Sequence, residues 1–351
     1  MSGAPPPHHP THMKKILVTG GCGFIGSHTV VDLIENGFEV ISADNLSNAD
    51  GSALDGIERI TGVRVQNYEI DLADRTASGR IFEEHPDLSG IIHFAAFKAV
   101  GDSVEQPLEY FHNNLNSLLT MLHYCVEYQI GTFIFSSSCS VYGNSEELPV
   151  TEQTPLRPAE SPYARTKQIG EEMIRDFSRR YPQVNSVLLR YFNPAGAHPS
   201  VIIGESSRNA PTNLVPVITE TAIGKRNSMT VFGDDYNTRD GSCVRDYIHV
   251  MDLADAHTKC LQYLLAGKNE HNCEVFNVGI GDGVTVLEAV KAFEEVSGQA
   301  LNYELGPRRP GDVESIYADY GRAARQLGWE PKYSIRDIMD TAWRWEQVRS
   351  R

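Results

Sequence analysis

The sequence predicts an α/β fold, a Rossmann-type doubly wound parallel sheet with a smaller C-terminal α/β domain. Three observations carry this. Short apolar runs alternate with longer amphipathic stretches, the pattern of successive βαβ units. Gly20, Gly23 and Gly26 directly follow the first apolar run, where a helix begins. After Asn193-Pro194 the texture changes to loops rich in Gly, Pro, Ser and Asn with shorter elements between them, and no internal repeat is seen.

In chain order, the run Ile16–Thr19 is the first strand and Phe24–Asn36 its helix. Glu39–Ala43 is the second strand. Val63–Glu69 is the third, followed by a helix over Ala73–Glu84. Gly90–Phe94 leads to the long helix Leu108–Tyr128, Thr132–Ser136 to the helix Tyr163–Tyr181, and Ser186–Tyr191 closes the set. These elements define a dinucleotide-type domain over residues 14–193. Residues 194–351 form the second domain, with some of the chain crossing back, a loop over 194–213 and a turn cluster at 306–313. Residues 1–13 read as a disordered tail, with Pro and His dominating positions 5–12. Metal capture by His8, His9 and His12 is the weaker alternative, since tail imidazoles lack fixed geometry. No metal site is expected.

The chain has 351 residues, 41% hydrophobic and 22% charged, too apolar for a disordered chain and long enough for a sizeable core. Lys plus Arg is 31 against 46 for Asp plus Glu, a net charge of −15. Such a chain does not hold nucleic acid through its overall field, so an anionic ligand needs a local basic pocket. The six cysteines (22, 125, 139, 243, 260 and 273) form no CxxC pair, and reduced thiols are expected. No apolar run reaches the ~20 residues of a membrane span. The N-terminal residues lack the apolar stretch of a secretory signal, so a cytoplasmic protein is expected.

Each glycine of the segment from Lys15 to His28 has a physical role. Gly20 permits a tight turn, Gly23 lets backbone approach a pyrophosphate, and Gly26 allows close helix–sheet packing. The anion then meets the positive end of the helix. Asp44 ends the second strand 18 residues after Gly26. A carboxylate there accepts from a ribose and repels a 2′-phosphate, and Asn45, Leu46 and Ser47 offer no cation. NAD is therefore favoured over NADP. Asp71, after the third strand, either meets the adenine or caps the helix that follows. His93-Phe94-Ala95-Ala96 ends the fourth strand with small residues that let backbone approach a cofactor.

The segment Tyr163-Ala164-Arg165-Thr166-Lys167 places an ammonium one helical turn from a phenol. A free phenol with a pKa near ~10 is a poor base at neutral pH. A nearby cation, joined by the positive nicotinamide ring, favours the phenolate, which then moves protons near the working pH. Ser136, Ser137 and Ser138, ending the fifth strand, add hydroxyls where a substrate would lie.

These segments, together with His93-Phe-Ala-Ala-Phe-Lys-Ala-Val-Gly101, Ser136-Ser-Ser-Cys-Ser-Val-Tyr-Gly143, Leu189-Arg-Tyr-Phe-Asn-Pro194, Val244-Arg-Asp-Tyr-Ile-His-Val250 and Arg308-Arg-Pro-Gly-Asp312, carry a resemblance over residues 14–350. The chain resembles the extended short-chain dehydrogenase/reductases and, more closely, the UDP-glucose (UDP-galactose) 4-epimerases. The resemblance implies Tyr163 as catalytic base, Lys167 as its electrostatic partner and nicotinamide-ribose ligand, and Ser138 as the relay at the sugar hydroxyl. It implies that Gly20, Gly23, Phe24, Ile25, Gly26, Asp44, Asn45, Asn48, Asp71, Phe94, Lys98, Asn113, Tyr163, Lys167 and Tyr191 line NAD. It places Asn193, Asn213, Leu214, Thr230, Val231, Phe232, Arg245, Tyr247, Arg309 and Asp312, with Ser138 and Tyr163, around the UDP-sugar. Arg245 and Arg309 would be the local cations for a diphosphate.

The implied reaction interconverts UDP-galactose and UDP-glucose, as in galactose metabolism. The 4′-hydroxyl loses its proton to Tyr163 and its hydride to tightly held NAD, the 4-keto sugar turns over, and hydride returns to its other face. Sugar-nucleotide dehydratases of the same layout carry an Asp-Glu pair where Cys139 and Ser140 stand here, so the elimination reading lacks its acid and base. A regulatory NAD sensor on the same fold is the other rival, and intact Ser138, Tyr163 and Lys167 argue against it. The 200–212 stretch departs from the family's pattern, with Thr212 in place of an Asn. Ile316 stands where the family has a large aromatic that excludes N-acetylhexosamines or a small residue that admits them; its size favours hexoses only. Family members commonly form homodimers through two long helices. Here Leu108–Tyr128 and Tyr163–Tyr181 are the candidates, with Leu115, Leu118, Leu119, Leu122 and Val126 either at that interface or packed on the chain's own sheet.

Overall fold

A computed structural model describes residues 13–49, 51–206, 208–309 and 312–351. The tail expected over residues 1–13, including His8, His9 and His12, lies outside the described residues except for Met13, which is exposed.

The first half of the chain supplies strands β1 (Lys15–Thr19), β2 (Glu39–Ala43), β3 (Gln66–Tyr68), β4 (Leu88–His93), β5 (Thr132–Ser138) and β6 (Asn185–Tyr191). Helices α1 (Phe24–Glu35), α2 (Ser52–Thr61), α3 (Arg75–Glu84), α4 (Val100–Glu105), α5 (Pro107–Glu127) and α6 (Pro162–Arg180) lie between them. The sheet has seven parallel strands in the order Cys273–Val278, β6, β5, β4, β1, β2, β3. Strand order reverses at β1, so a crevice opens beyond the carboxyl ends of β1 and β4, where doubly wound sheets bind ligands.

Side chains alternate across each strand and build one core on each face. Ile16 and Val18 enter the core under α1, α2 and the helix Val250–Leu265, while Leu17 enters the one under α3, α5 and α6. The sheet buries apolar surface on both faces, at about 25 cal/mol per Å² removed from water. A third core joins the helices Leu214–Ala222, Val286–Ser297 and Ile335–Arg349 in the C-terminal half.

One stretch departs from the sequence expectation. The third strand is only Gln66–Tyr68, and α2 precedes it, a helix masked in the sequence by Gly51, Gly56 and Gly62. Leu54, Ile57 and Ile60, three residues apart, turn its apolar side onto the core. The C-terminal half crosses back into the sheet, where Cys273–Val278 pairs with β6 from Ser186 to Tyr191. The helix Val250–Leu265 also returns, packing Leu253, Ala256 and Leu264 into the same core as α1.

Candidate active site

The glycine turn is built by contact distances. Gly20 has φ +69°, a left-handed conformation, and a Cβ on it would stand 3.0 Å from the amide nitrogen of Ala95. A Cβ on Gly26 would overlap the carbonyl oxygen of Gly20 and lie 2.9 Å from both its carbonyl carbon and Gly21 Cα. Helix α1 therefore seats on the loop only with glycine there. Gly23 is its N-cap and accepts no help from a side chain, and no acidic residue stands in the first turn. Its leading amides are left to an anion.

Asp44 ties β2 to this loop. Its Oδ2 accepts the Cys22 N–H at 3.1 Å and its Oδ1 the Leu46 N–H at 2.9 Å. Burial raises its pKa and the backbone amides oppose the rise. Arg208 meets the loop through its backbone, donating to the Asn48 carbonyl at 3.2 Å. Asn45 is exposed and closes a turn by accepting the Ser47 N–H at 3.1 Å. Of the two roles open to Asp71, helix capping belongs instead to Asp74, which accepts the Ala77 N–H at 3.0 Å. Asp71 is exposed and accepts from Ala73 at 2.9 Å. Ile25 packs against the core, and Phe94 lies with its ring centroid 4.6 Å from that of His257.

Ser138 ends β5 and caps the turn Cys139–Tyr142, accepting the Ser140 N–H at 3.2 Å. Pro162 opens α6 and Ser161 caps it by accepting the Ala164 N–H at 3.1 Å, which sets Tyr163 at the helix start. Lys167, one turn on, donates to the Ser136 carbonyl at 2.6 Å, and its nitrogen lies 5.9 Å from the Tyr163 ring centroid.

Burial sets the electrostatics of this pair when the protein's own groups are taken alone. Burial alone lowers the Lys167 pKa to about 7. Burial, with Tyr191 nearby, raises the Tyr163 phenol well above its usual value, while hydrogen bonding with Ser138 opposes the rise. Within the protein's own groups the phenolate is therefore disfavoured, because desolvation dominates at Tyr163.

Sequence reasoning missed a buried network behind these residues. Glu171 sits on the Tyr163–Lys167 face of α6, one turn after Lys167. Its Oε1 accepts from Ser137 Oγ at 2.6 Å and Arg190 Nε at 2.8 Å, and its Oε2 accepts from Arg190 Nη2 at 2.6 Å. Arg190 also donates to the Tyr142 hydroxyl at 3.1 Å, which donates to Asn277 at 2.6 Å. Glu171 and Arg190 are 1% and 2% exposed. The one available signal was a glutamate spaced four from the lysine. Tyr191 shares a short hydrogen bond with Ser136, and Asn113 donates to Asn114 at 3.0 Å. Asn114 in turn receives the Phe97 N–H at 2.8 Å and donates to Thr166 at 3.1 Å, binding the loop after β4 to α6.

On the other side of the crevice, Arg245 and Arg309 converge on one carboxylate. Each places Nη2 3.4 Å from Asp312 Oδ1, and the Arg309 guanidinium lies 5.5 Å from the Phe232 ring centroid. Asn193 donates its side-chain amide to the Asp246 carbonyl at 3.3 Å. Asn213 precedes Leu214 at a helix start and donates to Glu205 at 3.4 Å, as does Lys98 at 3.3 Å. Thr230 and Phe232 are exposed. Val231 and Tyr247 are not: their side chains belong to the C-terminal core. Ile316 is buried with Val141, Tyr142, Phe192 and Cys139 just beyond Ser138.

The uncapped helix start, the glycine cradle and the Asp44 carboxylate, on which burial and backbone amides but no cation act among the described residues, fit a dinucleotide without a 2′-phosphate. Among the described residues no group of His, Cys, Asp and Glu is arranged to hold a metal, and no helix is long and apolar enough to cross a membrane.

Comparison with known proteins agrees with this geometry. The family model described as GDP-mannose 4,6 dehydratase matches residues 17–342. A UDP-glucose 4-epimerase of Bacillus subtilis is 46% identical over 331 residues, covering 94% of this chain and 96% of that protein. The crystal structure of UDP-glucose 4-epimerase from Bifidobacterium longum in complex with NAD+ and UDP superposes with a TM-score of 0.92 at 42% identity, covering 96% of this chain and 99% of that one. The structure of the Stenotrophomonas maltophila enzyme with NAD and formylated UDP-arabinopyranose gives 0.92 at 39% identity, covering 97% and 99%.

Proposed function

This chain belongs to the UDP-glucose 4-epimerases, and on that premise we propose that it interconverts UDP-galactose and UDP-glucose by inversion at the sugar's fourth carbon with tightly held NAD. The observation that carries the reading is the meeting of Ser138, Tyr163 and Lys167 at the crevice whose other wall is the glycine turn. NAD, when bound, supplies a reversible hydride acceptor and a positive ring. Tyr163 holds and moves the proton of the 4′-hydroxyl. Its phenol, raised by burial, needs added positive charge beside it before it acts as a base, which confines deprotonation to the oxidised cofactor state. Ser138 orients the same hydroxyl, and Lys167 fixes the ribose. Arg245 and Arg309 hold the diphosphate, exchanging Asp312 for phosphate oxygens.

The family model's dehydratase description does not extend to the chemistry of this site. Elimination needs a carboxyl pair beside the ring, and here Cys139, whose thiol burial pushes up to about 12, stands next to Ser140. Ile316, buried with Val141, Phe192 and Cys139, favours hexoses over N-acetylhexosamines by its size. We further propose a cytoplasmic homodimer. Leu118 and Leu122 face the chain's own core, but Leu108 and Leu119 of α5 are 78% and 52% exposed and suit an interface between copies.

The test is incubation with UDP-galactose and no added NAD, followed by NMR. UDP-glucose should accumulate towards an epimer mixture, and Tyr163→Phe should retain NAD while converting nothing. Absence of conversion even with NAD supplied overturns the assignment.

A further inference from the structure

One acidic side chain stands between the two ligand sides. Glu205 Oε1 accepts from Lys98, of the expected NAD set, at 3.3 Å, and from Asn213, of the expected UDP-sugar set, at 3.4 Å. Its carboxylate is 13% exposed, against 47% for the Lys98 side chain. The backbone beneath it is fixed. Glu205 accepts the Trp345 indole N–H at 3.0 Å through its carbonyl, and a Cβ on Gly204 would come within 2.6 Å of that indole. Ile202 and Ile203 insert between the glycine loop and α2, lining a small cleft with Phe24 and Ala53. The atypical 200–206 segment is thus a strap from the C-terminal half, pinned over the dinucleotide turn.

Resting on the function just given, we propose that Glu205 is a positioning residue that couples retention of NAD to occupancy of the UDP side, through Lys98 and Asn213. One oxygen serves two donors, both at long distance. A nucleotide that draws the Asn213 amide to itself leaves the carboxylate to Lys98 alone. The ammonium then closes on Glu205, and a side chain with large rotamer freedom becomes ordered. A ligand meeting an already ordered lysine loses less entropy on binding, so UDP tightens NAD, and by linkage NAD tightens UDP.

The experiment uses the purified protein with its NAD and follows NAD release after dilution, with and without UDP. In the wild type UDP should slow release at least about fivefold, the lower end of the usual range of coupling. In Glu205→Met, which keeps length and removes the acceptor, the ratio should fall to about one, since no shared oxygen then links the two sides. Asn213→Leu, measured at saturating UDP so that weaker nucleotide binding does not mimic the effect, removes the link from its other end, should give the same loss, and stands in if Glu205→Met does not fold. A ratio unchanged in the variants, or a ratio of one in the wild type, overturns the coupling. A protein that shows the UDP effect but converts no UDP-galactose overturns the function and leaves the coupling standing. One that holds no NAD overturns both.

Discussion

Among the described residues Arg190 is the one cation bonded to both Glu171 oxygens, in a pair that is 1–2% exposed, and Arg190→Met leaves only the part-exposed Arg175, 3.4 Å from Oε2. Breaking such a pair from one side leaves a buried charge without its main partner and costs about 3–5 kcal/mol, since Arg175 reaches only one oxygen at long distance. That is a large share of a typical stability of about 5–15 kcal/mol. With a urea slope of about 3 kcal/mol per M, the midpoint should fall by about 1–2 M. The double variant Arg190→Met, Glu171→Leu removes the stranded charge as well. Ser137 loses its acceptor and Tyr142 one donor, at about 1–3 kcal/mol for each group left unsatisfied, so the double should recover part of the loss. Urea unfolding of wild type, both singles and the double at neutral pH gives the cycle. A single-variant loss below about 1 kcal/mol, or a double no better than Arg190→Met, would refute the claim that charge pairing holds this network.

Gly26→Ala should abolish NAD retention and lower the urea midpoint, because the added methyl meets backbone of Gly20 and Gly21 that cannot yield; unchanged retention would sink the cradle argument. Lys167 has a folded pKa of about 7 against an unfolded value of 10.5. From pH 7 towards 10 the unfolded chain holds a proton that the folded one has shed, so wild type should gain stability relative to Lys167→Met as pH rises, at matched cofactor content. A flat difference would mean the lysine is not desolvated. Ile316→Ala opens a buried position beside Cys139 and Phe192. It should cost about 2–5 kcal/mol of stability and raise turnover of UDP-N-acetylgalactosamine relative to UDP-galactose, read as a ratio of kcat/KM.

What the sequence shows plainly is what depends on near neighbours. Gly20, Gly23 and Gly26 act within one turn, and Tyr163 and Lys167 share a helix face, so spacing alone places them. The placement does not carry the energetics: both pKa directions come from burial, which only the packed sheet and helices produce. The residues that escaped notice act across the fold. Glu171 meets Arg190 from another element, Asn277 reaches Tyr142 over 135 positions, and Glu205 meets Lys98 over 107. Helix α2 was hidden for a different reason, since its glycines carry turn signals while Leu54, Ile57 and Ile60 carry the packing.

The edge strand Cys273–Val278 has a consequence for biosynthesis. A nascent chain that has left the ribosome only through Tyr191 carries every strand of the dinucleotide half except the last, and so presents β6 as a bare edge. Unpaired edges recruit other chains. At about 5–20 residues per second the missing strand follows after an interval on the order of ten seconds. Over that window the half-made sheet depends on chaperone shielding or on remaining unfolded, and a truncated dinucleotide half would keep the exposed edge permanently.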